Sequence, residues 1–288
     1  MRAEQGVKEI NEVKKRNRRI AAFFDLDGTL IPWPSLEQRF FRMLSCRGEI
    51  PLQSYFSWLR EAMRLLPQGI TVIAHADKMY LRDVRSFDER GGENRITTPL
   101  HKSGRASQPS ESRDEGQPST PPTHNPRCPV PLFFQEAVER VACHVCQGHA
   151  IVIVSGTLEP LAANATRALE VELEARGVAT KIRLCATRLE EIDGRWTGRI
   201  LGEAMFGEAK ARAVRALAKE MRLDLSQCWG YGDSAADRWM LMAVGNPACL
   251  NPTGRLGQIA RKRGWPVYRA VNAAPETQER PLSMEPCG

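Results

Sequence analysis

Two aspartates stand one residue apart in the stretch FFDLDGTL, directly after an apolar run. They are Asp25 and Asp27, and Gly28 and Thr29 follow as supporting residues of the same turn. A carboxylate at the end of a buried strand is costly because it loses its hydration, and a second like charge nearby raises that cost. A bound divalent cation with oxygen ligands would offset it. A cation site is therefore the first hypothesis for this turn.

Further polar residues follow later apolar runs. Ser155 and Gly156 follow a second predicted strand, Asp233 and Asp237 follow a later one, and Lys210 lies in the first turn of a predicted helix. Ligands collect at the carboxyl ends of the strands in a parallel sheet. We therefore expect these groups to converge on one crevice.

Mg²⁺ is the expected ion, because it would neutralise Asp25 and Asp233, keep several waters and leave room for a substrate phosphate. Asp233 and Asp237 are four residues apart. This spacing predicts two carboxylates on one face of a helix start, with Asp237 orienting Lys210 or a metal-bound water. Taken singly, each residue has a structural explanation, such as Asp233 as a helix cap. The combination favours a functional site.

The elements that must position these residues alternate along the chain. Continuous apolar runs predict buried strands, and apolar residues at helical spacing predict helices between them. The predicted strands are 20–25, 150–156, 181–186, 228–233 and 248–251, and the predicted helices lie between 35 and 48 and at 52–66, 70–82, 132–147, 158–169, 208–222, 235–244 and 255–263. An Asp-Gly pair predicts a hairpin between Ile192 and Trp196. The order predicts an α/β fold, a Rossmann-like parallel sheet with helices on both faces and a small helical cap inserted after the first strand.

The composition divides the chain further. Ser, Pro, Gly and Thr dominate from Thr97 to Pro129, which cannot supply a packed core and predicts a disordered insert. The predicted parts are a basic N-terminal extension at 1–19, a catalytic core at 20–34 and 148–271, a helical cap at 35–85 and 131–147, the insert at 86–130, and a flexible tail at 272–288.

Charge and cysteine content narrow the function classes. The net charge of +7 favours anionic partners, but the cluster KKRNRR at 14–19 has no aromatic residues for base stacking, which disfavours nucleic acid. No apolar run approaches the roughly 18 residues of a membrane helix, and the first residues lack the apolar core of a secretory signal, which predicts a cytoplasmic protein. The eight cysteines are scattered, and the pair Cys143 and Cys146 has no two further ligands at zinc spacing, which favours reduced thiols.

The polar stretches together resemble the four motifs of the haloacid dehalogenase (HAD) superfamily. They are DLDGTL at 25–30, VSGT at 154–157, Lys210, and GDSAAD at 232–237. The helical segment between the first two motifs resembles the small cap of subfamily IB, which includes phosphoserine phosphatase. The resemblance covers the core at about 20–31 and 149–270.

This resemblance implies a mechanism. Asp25 would attack phosphorus to form an aspartyl phosphate, and Asp27 would act as general acid and then as general base. Mg²⁺ would be held by Asp25, by the Asp27 backbone carbonyl and by Asp233. Lys210, Ser155 and the Gly156 amide would bind the phosphate oxygens. An acid beside the nucleophile distinguishes a phosphatase from a dehalogenase, since a halide leaving group needs no proton.

The substrate stays open within this interpretation. Phosphoserine phosphatases that the chain resembles place a glutamate nine residues beyond the nucleophile, where this chain has Pro34. Phosphoserine, histidinol phosphate, phosphoethanolamine and other small phosphorylated metabolites are all candidates. The alternatives are a phosphotransferase or phosphomutase with the same motifs, and an inactive HAD-like binding module.

Overall fold

The structure is a computed structural model that describes residues 20–66, 77–86 and 132–270. The predicted N-terminal extension at 1–19, the tail at 272–288 and the insert at 86–130, apart from residue 86, lie outside the described residues. The predicted cap helix at 70–82 lies partly outside them, and its described part contains a single 3₁₀ turn at Met79–Leu81.

A six-stranded sheet forms the centre of the described fold, and every neighbouring pair of strands in it is parallel. In spatial order its strands are β3 (Ile182–Thr187), β2 (Ala150–Leu158), β1 (Ala21–Phe24), β6 (Trp229–Gly232), β7 (Asn246–Leu250) and β8 (Val267–Tyr268). A separate antiparallel hairpin consists of β4 (Leu189–Ile192) and β5 (Arg195–Ile200). The predicted parallel α/β sheet is confirmed.

Strand β1 shows why its apolar run is continuous. Phe24 belongs to the core cluster on one face of the sheet, whereas Phe23 belongs to the cluster on the other. Successive side chains of a strand point to opposite faces. Both faces are therefore buried, and Asp25 follows at the strand's carboxyl end.

Helices flank the sheet and form the cap. They are α1 (Leu36–Arg47), α2 (Leu52–Leu65), α3 (Gln135–Cys146), α4 (Glu159–Ala175), α5 (Glu208–Met221), α6 (Arg238–Leu241) and α7 (Gly254–Arg263). In the part of the chain that the structure covers, none of the helices combines the length and apolar character needed to cross a bilayer.

Helix α3 packs on the sheet, although the sequence assigned 131–147 to the cap. Its Val138 and Val141 are fully buried in the core cluster. The distance from His144 Nε2 to the hydroxyl of Tyr231, in β6, is 2.8 Å. Apolar spacing alone predicted the helix but not the surface that it covers. The location of α3 corrects that part of the assignment.

The hairpin is built as predicted and is joined to the cap. Asp193 and Gly194 have φ angles of 52° and 71°, as a two-residue hairpin turn of this type requires. In β5, Trp196 exchanges two backbone hydrogen bonds with the cap segment: Asp83 N donates to Trp196 O at 2.9 Å, and Trp196 N donates to Val84 O at 3.0 Å. These two backbone hydrogen bonds therefore join the hairpin to the cap segment.

Helix α2 presents its apolar side to solvent among the described residues. Leu52 and Phe56 are 76% and 71% exposed, while Ser54 is buried and its hydroxyl donates to Arg82 O at 2.9 Å. The predicted amphipathic helix is present. Its inward side carries the buried Ser54 and also Tyr55, which packs against Phe41 of α1.

Candidate active site

Lys210 is the centre of a buried ion-pair network that joins two aspartates. It lies in the first turn of α5 and is 4% exposed. Its ammonium lies 2.5 Å from Asp25 Oδ1 and 2.6 Å from Asp237 Oδ1. Short charge-assisted contacts are strong in a low-dielectric site. The fold thus brings together three predicted site residues that are distant in sequence.

Burial dominates the electrostatics of this network. Desolvation raises the pKa of Asp25 to about 7, with Asp237 raising it further and Lys210 opposing the shift. Burial, followed by the charges of Asp237 and Asp25, also raises the pKa of Asp233 well above its usual value. For Lys210, burial alone would lower the pKa, but Asp237 and Asp25 raise it overall, so the ammonium stays charged. Three crowded aspartates therefore outnumber Lys210, and further positive charge would stabilise their ionised forms.

The carboxylates of Asp25, Asp233 and Asp237 are close enough to hold a metal ion. One oxygen from each lies within 4.8 Å of the others, and all three residues are buried. Asp237 is already engaged at both oxygens, because Oδ1 accepts from Lys210 and Oδ2 accepts from Ser234 N and Oγ at 2.9 and 2.7 Å. Asp25 and Asp233 are therefore the two carboxylates best suited to take a cation.

The surroundings of Asp25 and Asp233 fit a small cation with oxygen ligands. The Thr29 hydroxyl lies 3.4 Å from Asp25 Oδ2 and 3.5 Å from Asp233 Oδ1, which leaves both oxygens weakly bonded. Gly28 has a φ of +85°, and a Cβ there would lie 2.2 Å from Asp233 Oδ2 and 2.7 Å from Trp33 Nε1. This donor set matches the ligands that Mg²⁺ prefers. Glycine is required at this position because any side chain would collide with Asp233.

Asp27 lies in different surroundings from Asp25. Its Oδ1 accepts a hydrogen bond from Leu36 N, the first residue of α1, at 2.8 Å, and its Oδ2 accepts one from the Thr157 hydroxyl. Burial raises the pKa of Asp27, although the hydrogen bonds from Thr157 and Leu36 lower it in part. Two neutral donors therefore fix this carboxyl, while Asp25 pairs with the Lys210 ammonium.

Ser155 and Gly156 lie at the carboxyl end of β2, on the same edge of the sheet as Asp25. Ser155 is 1% exposed, and its Oγ accepts from Thr157 N at 3.1 Å. Gly156 O accepts from the Thr187 hydroxyl at 2.8 Å. These hydrogen bonds lie within the strand ends, so a role of the two residues toward phosphate stays a prediction.

One predicted geometry is wrong. Asp233 and Asp237 do not share a helix face, because α6 begins after them, at Arg238. Residues 233–236 form bends and turns instead, closed by the bonds from Ser234 to the Asp237 side chain. The Asp237 side chain thus satisfies a backbone N–H that would have no intrahelical partner at a helix start.

The sequence interpretation missed Thr157 and Trp33. The Thr157 hydroxyl bonds Asp27, and the half-exposed Trp33 donates a side-chain hydrogen bond to Asp233. Thr157 belongs to the VSGT motif that the sequence pointed to, but strand alternation could not place its side chain because the register shifts between Ser155 and Leu158. Nothing in the local sequence indicated the role of Trp33.

Comparison with known proteins agrees with this fold. The model of the family described as haloacid dehalogenase-like hydrolase matches residues 22–242. The chain therefore belongs to this family.

Its relatives include a probable phosphatase and a phosphoserine phosphatase, both from Mycobacterium tuberculosis strain H37Rv. Each is 36% identical, over 138 and 129 residues that cover 48% and 45% of this chain and 44% and 39% of those proteins. The chain thus spans less than half of the length of these relatives. Among solved structures, a protein of unknown function from Bordetella pertussis Tohama I is 26% identical with a TM-score of 0.58, and the match covers 86% of this chain and 97% of that one.

Proposed function

We propose that this chain is a Mg²⁺-dependent phosphomonoester hydrolase that acts through an aspartyl phosphate on Asp25. The observation that carries the proposal is the contrast between two neighbouring carboxyls. Asp25 pairs with Lys210 in the acidic cluster, whereas Asp27 is held by Thr157 and Leu36. Different surroundings give like residues different roles, and this reaction needs a nucleophile and a separate proton carrier.

In the first step, a carboxylate oxygen of Asp25 attacks phosphorus, and the bond from phosphorus to the substrate oxygen breaks. Asp27 gives its proton to the departing oxygen, so that an alcohol leaves instead of an alkoxide. Asp25 now carries the phosphoryl group. The raised pKa of Asp27 favours the protonated form that this step requires.

In the second step, a water molecule gives a proton to Asp27 and attacks the phosphoryl group. The bond between phosphorus and Asp25 breaks, which releases inorganic phosphate and restores both carboxyls. Dividing one displacement into two explains why the same acid must lie beside the nucleophile and also be free to move a proton.

Charge stabilisation completes the proposal. Asp25 and Asp233 would hold Mg²⁺ together with the Asp27 backbone carbonyl, and the ion would supply electrostatic stabilisation of the transferring group. Lys210, Ser155 and the Gly156 amide would bind the phosphate oxygens. Lys210 is already in contact with Asp25, which supports its placement beside the reacting phosphorus.

The proposed substrate is a small phosphorylated metabolite of the phosphoserine or histidinol-phosphate type. One relative is named phosphoserine phosphatase, and the helical cap supports the resemblance to subfamily IB. Pro34 replaces the glutamate of the phosphoserine phosphatases that the chain resembles, which widens the choice to phosphoethanolamine and other esters.

The test is phosphate release from phosphoserine, histidinol phosphate and phosphoethanolamine, with Mg²⁺ and with a chelator. We expect phosphate release from at least one ester in Mg²⁺ and from none in the chelator. Asp25→Asn should abolish turnover, and Asp193→Asn, at the exposed hairpin turn, is the matched control that should keep it.

Two results would contradict this proposal. Turnover by Asp25→Asn at the rate of the wild type would remove Asp25 as the nucleophile. Transfer of the phosphoryl group to an added alcohol, with no release of inorganic phosphate, would favour the phosphotransferase.

A further inference from the structure

Two buried polar side chains lie at the carboxyl end of β2. Ser155 and Thr157 are two residues apart, and both are buried, at 1% and 4% exposed. The pairing of β2 with β3 shifts register between Ser155 and Leu158, so the strand end is irregular where these side chains emerge. Thr157 N donates to Ser155 Oγ at 3.1 Å. This bond does not involve the Thr157 hydroxyl, which has a different partner.

That partner is the carboxyl of Asp27, 130 positions away in sequence. The Thr157 hydroxyl donates to Oδ2, and Leu36 N donates to Oδ1 at 2.8 Å. One donor belongs to the core strand and the other to the first turn of α1 in the cap. Each carboxyl oxygen has two lone pairs, so a site for the transferable proton remains beside these bonds.

We infer that Thr157 is a positioning residue for proton transfer: its hydroxyl fixes the Asp27 carboxyl so that Asp27 can protonate the leaving oxygen. This inference rests on the proposed function. The hydroxyl acts through Asp27 and takes no part in the bond changes. The bond from phosphorus to the leaving oxygen breaks, and the proton of Asp27 goes to that oxygen.

The role has a chemical signature that a merely structural role lacks. An alkoxide is a strong base and needs a proton as it leaves, whereas a nitrophenolate is a weak base and leaves without one. Misplacing the acid should therefore slow the cleavage of alkyl esters more than that of nitrophenyl esters. A general loss of fold or of phosphate binding would slow both equally.

The experiment compares benzyl phosphate with para-nitrophenyl phosphate, which are similar in size. The measured quantity is kcat/KM in Mg²⁺, because it covers the steps up to formation of the aspartyl phosphate and excludes its hydrolysis. For Thr157→Val we expect a loss of about 10- to 100-fold on benzyl phosphate, since general acid catalysis contributes about 100-fold or more. The loss on para-nitrophenyl phosphate should be at least tenfold smaller.

Three further variants support the comparison. Thr157→Ser keeps the hydroxyl and should restore most of the loss on benzyl phosphate. Thr166→Val makes the same change at a buried threonine of α4, whose hydroxyl donates to Ala162 O, and should leave the ratio of the two esters unchanged. In an Asp27→Asn background, Thr157→Val should cause little additional loss, because the residue through which it acts is already disabled.

The outcomes distinguish the role of Thr157 from the hydrolase activity on which it rests. If Thr157→Val lowers kcat/KM equally for both esters, or lowers it further in the Asp27→Asn background, the positioning role is overturned and the hydrolase proposal stands. If the wild type releases phosphate from neither ester nor from the metabolites above, the hydrolase proposal itself fails. Should the valine variant not fold by circular dichroism, Thr157→Ala removes the same donor without adding bulk and is judged by the same ratio.

Discussion

Replacing Lys210 by methionine removes the ammonium between Asp25 and Asp237 and keeps a side chain of similar length. All three residues are buried, and the contacts are 2.5 and 2.6 Å long. The change therefore leaves two carboxylates close to Asp233 with their shared cation gone. Its effect on stability tests whether the acidic cluster is as costly as the structure indicates.

The magnitude follows from two considerations. Breaking a buried ion pair by removing one partner costs about 3 to 5 kcal/mol. Protonation sets an upper limit, because the folded variant can neutralise one carboxyl instead of leaving it unpaired. Asp25 already has a folded pKa of about 7 in the wild type, so its protonation in the variant adds little cost at pH 7. We therefore expect the free energy of unfolding to fall by about 3 kcal/mol at pH 7, the low end of this range.

The same reasoning gives a pH dependence. Because Lys210 lowers the folded pKa of Asp25, removing its ammonium raises that pKa above the wild-type value of about 7, whereas the two unfolded chains titrate alike at this site. Both folded proteins hold this proton at pH 5, so the loss caused by the variant should be smaller at pH 5 than at pH 7. Stability is lost as the pH rises, which is the sign expected for a carboxyl whose folded pKa is raised.

Urea unfolding followed by tryptophan fluorescence, in a chelator, measures the free energy of unfolding at pH 7 and at pH 5. Lys219→Met is the matched control, because Lys219 lies exposed in the last turn of the same helix. We expect it to change stability by less than about 0.5 kcal/mol. A loss below about 1 kcal/mol for Lys210→Met at pH 7, or a loss that does not shrink at pH 5, would refute the reasoning.

Two further predictions concern Gly28 and His144. Gly28→Ala should weaken Mg²⁺ binding, measured by calorimetry, by at least tenfold, because its Cβ would lie 2.2 Å from Asp233 Oδ2. The control Gly264→Ala has a φ of +67° and no atom within 4 Å, so it should lower stability without affecting Mg²⁺ binding. Equal Mg²⁺ affinities of the two variants would contradict this prediction. Burial, His149 and Arg140 lower the pKa of His144 to about 4 from 6.5. The unfolded chain therefore binds the extra proton between these values, and the wild type should lose about 1 to 2 kcal/mol as the pH falls from 6.5 to 4, after allowance for solvent screening. In thermal or urea unfolding across this pH range, His144→Gln should lack this loss. If the variant's stability depends on pH as that of the wild type does, His144 is not the group responsible.

Local rules were sufficient for one helix and one turn. The Ser35 side chain caps α1 and accepts from Gln38 N, and Gly48 ends the helix with a φ of +66°, which fits the helix predicted between 35 and 48. The hairpin turn at Asp193 and Gly194 also matched its dipeptide signal. These features depend on a few consecutive residues, so a single sequence can predict them.

Features that depend on distant partners were not predictable in the same way. Periodicity gave α3 but not its packing on the sheet, and the turn signal gave the hairpin but not its backbone bonds to Asp83 and Val84. The predicted helix at 235–244 is shorter, Arg238–Leu241, and the turn before it is closed by a bond from Ser234 to the Asp237 side chain. In each case the structure holds a long-range or side-chain contact that the local pattern does not record.

Partial compensation of charge explains how four aspartates of one site can differ in chemistry. Asp237 is satisfied by Lys210 and Ser234, which removes it from competition for a cation. Asp27 is satisfied by two neutral donors, which fix it without adding a positive charge beside it. Asp25 and Asp233 retain weakly bonded oxygens, so a divalent cation gains most by binding there. Neighbouring groups, and not the carboxyl itself, therefore determine which aspartate contacts Lys210 at one oxygen and Ser234 at the other, which would move a proton and which two would bind metal.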